Sequence, residues 1–69
     1  MKVSYAKLWH KLLDLNMNKS ELKDAAGISW SAVSKLTNNE NINTKVLLKI
    51  CNVLHCDISD IVEFELERN

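Results

Sequence analysis

Apolar residues at Tyr5, Leu8, Trp9, Leu12 and Leu13 recur at spacings of three and four, which puts them on one face of a helix. Lys7, Lys11 and Asp14 fall off that stripe. His10 falls off it too and reads as a solvated surface residue rather than a catalytic one. A second apolar set, Leu22, Ala25 and Ala26, continues through Ile28 to Val33 and Leu36. A third, Val46, Leu47, Ile50, Cys51 and Leu54, predicts another amphipathic helix, and Cys56–Ile61 predicts a short one after it. Phe64 and Leu66 then alternate with Glu63, Glu65 and Glu67. That two-residue period suits a short strand, which can pair with Lys2–Tyr5 or with a second copy, or be left as an unstructured tail. The pattern predicts an all-α chain of five helices, with short terminal strands as an option. Trp9 is expected in the core.

Helix boundaries are written locally. Ser4 is the expected N-cap of the first helix, which ends near Asn16. Asn18 stands three residues before Glu21, a capping-box spacing, with Met17 and Leu22 as the flanking hydrophobic staple. Ser29, Asn43 and Asp57 repeat the device, with the pairs Ile28/Val33, Ile42/Leu47 and Cys56/Ile61. Gly27 is the only glycine in a chain without proline. It predicts a left-handed stop between two short helices. The outer side of the second of these carries Trp30, Ser31, Ser34 and Lys35. Residues 18–37 therefore match a helix-turn-helix, whose second helix enters the DNA major groove.

Length and composition narrow the class. The 69 residues predict one domain over 1–69, with a core over about 5–62. A chain this short buries only about 60% of its unfolded surface and is marginally stable. No apolar run approaches the roughly 20 residues of a membrane span, and MKVSYAKLWHKLL lacks the features of a secretion signal. A cytoplasmic protein is expected. Cys51 and Cys56 sit five apart around a helix end, a poor disulfide geometry, and read as small apolar residues. A metal site from Cys51, His55, Cys56 and Asp57 is disfavoured by the C-x4-C spacing, so neither metal nor cofactor is expected. Two histidines and no carboxylate pair at productive spacing argue against an enzyme.

Net charge is zero but unevenly spread. Residues 1–50 hold eight lysines against four acids, a net of +4, and residues 51–69 hold Arg68 against five acids, a net of −4. The segment that contains residues 18–37 is thus the basic one.

The run Leu22, Ala26, Gly27, Ile28, Ser29, Ser31, Val33, Ser34 and Leu36, followed by VLLKICNVLHCDISDIV at Val46–Val62, resembles the Cro and phage-repressor helix-turn-helix regulators. The resemblance covers roughly residues 5–62. It implies a compact five-helix, phage-repressor-like DNA-binding domain that acts as a small transcriptional regulator. Three positions depart from the family pattern. Lys19 stands where a glutamine often bonds a phosphate and braces the third helix. Thr37-Asn38-Asn39 replaces a Glu-Asn-Gly turn, with asparagine the best non-glycine occupant of a left-handed position. Trp30 replaces a polar base reader.

On this reading Trp30, Ser31, Ser34 and Lys35 would meet base edges. Lys35 suits guanine O6 and N7, serine either partner, and Trp30 thymine methyls. Phosphates would meet the helix starts and the asparagine-rich loop: Lys19, Ser20, Ser29, Asn38, Asn39, Asn41, Asn43, Thr44 and Lys45. With one long charged reader, a monomer would discriminate poorly. A homodimer on paired half-sites is expected, as is common in the family. The rival reading keeps the fold but turns the Trp30 face to a protein partner, in an antitoxin-like or co-regulator role. Zero net charge and an exposed tryptophan favour it.

Overall fold

The computed structural model describes residues 2–66. The order is β1 (Lys2–Ser4), α1 (Ala6–Asp14), α2 (Lys19–Ala26), α3 (Trp30–Thr37), α4 (Thr44–Leu54), a single 3-10 turn (Ile58–Asp60) and β2 (Glu63–Glu65). Helices one to four form where the periodicity puts them. Among the described residues no helix is long and apolar enough to cross a membrane.

All four helices stop in the same way. Asn16, Gly27, Asn39 and His55 take φ of 54°, 67°, 54° and 53°. The next residue's N–H then reaches back to a carbonyl five positions earlier: Met17 to Leu12 (2.9 Å), Ile28 to Lys23 (3.1 Å), Glu40 to Lys35 (2.9 Å) and Cys56 to Cys51 (3.1 Å). This is the Schellman closure, which satisfies carbonyls that a helix end leaves unpaired. Asparagine and histidine carry it at three of the four positions. Each closure folds the chain back so that the next helix can pack on the last. The fourth returns Cys56 to the side of Cys51, closer than their spacing around a helix end suggested. Both thiols are free and half-buried. Burial, and then the neighbouring Cys56, push the Cys51 thiol pKa up.

The starts are equally regular. Asn18 forms the full capping box with Glu21. Ser29 accepts from the Ala32 N–H, Asn43 from Lys45, and Asp57 from Ser59 while Asp60 bonds back to Asp57. Hydrogen bonds from the Ser59 hydroxyl and N–H hold the Asp57 carboxyl below its ordinary pKa. Leu8, Leu22, Leu36, Ile50 and Ile61 are fully buried at the centre, and Met17, Ile42 and Cys56 pack against that core as outer halves of their staples.

Five expectations need correction. The fifth helix is only one 3-10 turn, because three residues separate the Asp57 cap from Ile61 and the chain must then extend into β2. The structure is therefore four helices with a small antiparallel sheet, in register Lys2↔Glu65, Val3↔Phe64 and Ser4↔Glu63. Glu67 lies outside the described residues. Ser4 stands one residue before the N-cap position of α1, which Tyr5 occupies without a side-chain bond of its own, yet the buried Ser4 hydroxyl still accepts from the Ala6 N–H at 3.3 Å, the first N–H of the helix. Leu13 is 73% exposed and Trp9 is half-buried rather than central. At 100° per residue Trp9 and Leu13 stand about 40° and 80° round the helix from Tyr5, on one border of the stripe. Ala25 is exposed, since α2 buries the line through Leu22 and Ala26 and Ala25 sits one helical step off it.

A Cβ added at Gly27 would meet nothing within 4 Å. Gly27→Ala should therefore lose only the left-handed backbone penalty, about 1 kcal/mol, lowering Tm by about 4–8 °C. His55→Gly should gain roughly 0.5 kcal/mol, the relieved strain offset by chain entropy. Thermal melts of the two variants check both signs.

Candidate nucleic-acid interface

The surface built around α3 follows from the two starts and the stop before it. Asn18 opens α2, Gly27 ends it, and Ser29 opens α3 two residues later. Ala32, Val33 and Leu36 go into the core. Trp30, Ser31, Ser34 and Lys35 are all exposed, Trp30 at 56%. The four expected base readers thus share the solvent side of one helix.

Two lysines of α2 brace this surface. The Lys19 ammonium lies 4.4 Å from the centre of the Trp9 ring and donates to Thr37 Oγ1 at 3.0 Å. Thr37 Oγ1 in turn donates to the Val33 carbonyl at 3.0 Å. One side chain therefore ties α1, α2 and the end of α3. Lysine can do this at a position where the family often has glutamine, because its ammonium offers three donors and a charge for the ring. One turn along, Lys23 places its ammonium 5.3 Å from the Trp30 ring and pairs with Asp24 at 2.9 Å.

The expected phosphate residues divide by what else they do. Ser29 and Asn43 spend their side-chain oxygens as N-caps. Asn39 Oδ1 accepts from the Tyr5 N–H at 3.1 Å, and the Tyr5 hydroxyl donates to the Glu40 carbonyl at 2.7 Å. Burial raises the Tyr5 hydroxyl pKa, which keeps it a donor. Ser20, Asn38, Asn41, Thr44 and Lys45 are exposed. Lys23 and Thr37 were missed by sequence reasoning. Lys23 stands four residues after Lys19, so the pair shares one side of α2, a spacing from which Lys23 could have been found.

Two short helices around a left-handed glycine, with a polar outer face on the second, define a helix-turn-helix protein of the DNA-binding class. The comparisons agree. The sequence pattern of the Cro/C1-type HTH DNA-binding domain matches residues 7–67, and the chain belongs to that family of non-enzymatic DNA-binding proteins. It is similar to the transcriptional regulator VanUg, known from a crystal structure (form II), at 52% identity and a TM-score of 0.87. That match covers 90% of this chain and 83% of VanUg. No curated protein matches the chain.

The Lys19 brace is separable into its parts. Lys19→Met should cost about 1 kcal/mol, the sum of an exposed cation–π contact and a weak hydrogen bond. Lys19→Gln keeps a donor for Thr37 and should cost about half as much. Urea denaturation of the two variants measures the difference.

Proposed function

We propose that the protein is a cytoplasmic transcriptional regulator that binds specific duplex DNA sites as a homodimer, with α3 seated in the major groove. The observation that carries this reading is the division of α3: the residues between the four readers are core, and the readers are all free to meet a duplex. The net charge of +4 over residues 1–50 favours the same surface for a polyanion. The similarity to VanUg, a transcriptional regulator, supports the regulatory role.

Each residue then has a task. Lys35 donates to guanine O6 and N7, and Ser31 and Ser34 bond the neighbouring base edges. Trp30, held by Lys23, offers an apolar face to thymine methyls. Ser20, Asn38, Asn41, Thr44 and Lys45 contact phosphates directly. Ser29 and Asn43 act through the backbone N–H groups they organise at the starts of α3 and α4. Asn39 keeps its amide nitrogen for an anion, and Lys19 keeps its remaining donors. Phosphate contacts fix register and the four readers supply sequence.

Dimerisation is supported by exposed large apolar side chains: Leu48 on α4 and Ile58 in the 3-10 turn, which line one groove, and Phe64 on β2.

Selection of bound duplexes from random DNA tests the whole reading. The recovered site should be an inverted repeat with half-site centres about one helical turn apart. Lys35→Ala should relax one base position in each half and weaken binding by about 1–3 kcal/mol. With about six phosphates engaged, affinity should fall about a thousandfold between about 50 and 200 mM salt. A single half-site would exclude the dimer. No enriched sequence and no salt response would transfer the Trp30 face to a protein partner.

A further inference from the structure

Beside the readers, a cleft of about 540 Å³ opens between β1, the last turn of α3 and the loop that follows it. Lys2, Val3, Lys35, Asn39, Glu40 and Asn41 line it. Two ammonium groups and two amides thus face one carboxylate across a shared space. The ion pairs formed among the described residues, Lys7–Glu63 and Lys23–Asp24, do not engage Lys2 or Lys35, although Glu65 stands opposite Lys2 in the sheet.

The hydrogen bonds around the cleft fix its backbone and leave the Lys2, Lys35 and Asn39 side-chain nitrogens uncommitted. Asn39 gives its oxygen to the Tyr5 N–H, so its amide nitrogen remains. Glu40 gives its carbonyl to the Tyr5 hydroxyl, and the Lys35 carbonyl takes the Glu40 N–H at 2.9 Å. Tyr5, 1% exposed and directly following β1, therefore clamps the strand to the loop from both its backbone and its side chain. The walls are preorganised, and their two ammonium groups and two amide nitrogens outnumber the single Glu40 carboxylate. That chemistry fits an anion, and the cleft is continuous with the α3 reading face through Lys35.

We propose that β1 is part of the DNA interface and that Lys2, with the Asn39 and Asn41 amides, holds one backbone phosphate of the duplex read by α3. The inference rests on the function proposed above. It adds an element that neither the helix-turn-helix nor the asparagine loop supplies: an N-terminal strand fixed beside the end of the recognition helix.

The test is binding of a duplex recovered by selection, measured across a salt series. Lys2 is exposed on β1, so Lys2→Gln removes a charge without opening the core. The slope of log affinity against log salt should become shallower by about 0.9, so the loss between about 50 and 200 mM salt shrinks about 3.5-fold. The preferred sequence should not change, because a phosphate contact carries no sequence information. Lys2→Arg should restore the slope, and thermal melts verify that both variants fold. A wild-type slope retained by Lys2→Gln would overturn the role of Lys2 while leaving the function of α3 intact. A wild-type protein whose DNA binding ignores salt would overturn both.

Discussion

Every helix in this small protein depends on a left-handed residue at its end. The backbone reverses at Asn16, Gly27, Asn39 and His55, and the next N–H closes onto a carbonyl of the last turn. A 69-residue chain has little core with which to enforce helix ends from outside. Local hydrogen bonding does it instead, with a side-chain cap opening each of α2, α3 and α4. The angle between α2 and α3 is set within three residues, Gly27 to Ser29. That is why α3 presents one edge to the core and the other to solvent, and why its outer side chains form a coherent surface.

The surface is stiffened by contacts that a helix-turn-helix does not require. Lys19 joins α1 to the end of α3, and Lys23 meets the tryptophan at its beginning. α2 thus supports α3 at both ends through two lysines one turn apart. Tyr5 does the same for the loop after α3. These braces order side chains before any ligand arrives, which lowers the entropy that binding must overcome. They also draw on residues that a contact list for DNA would count as free: Lys19, Asn39, Ser29 and Asn43 all have structural tasks in the unbound protein.

Much of this was legible in the sequence because caps and stops are short-range chemistry. Asn18 with Glu21, the lone Gly27, and Ser29, Asn43 and Asp57 each act within a few residues of themselves. The division of α3 was legible for the same reason, since Val33 and Leu36 mark the inner face. Long-range geometry was not. Leu13 and Trp9 satisfy a helical period yet lie at the border of the buried stripe, and only the neighbouring helices decide where that border falls. The 3-10 turn looked like a helix because its cap is a helix cap. The cleft at Lys2 depends on Tyr5 bonding residues 34 and 35 positions away, which no local pattern encodes.

The central claim is that α3 and its flanking loop meet DNA through the side chains they hold outward. Titration of isotope-labelled protein with a selected duplex, followed by NMR, tests it directly. The account predicts that the amides of Trp30, Ser31, Ser34 and Lys35, the Trp30 indole N–H and the Asn38–Asn41 loop shift together and saturate at one ratio. Shifts centred instead on Leu48, Ile58 and Phe64, with α3 unmoved, would contradict it.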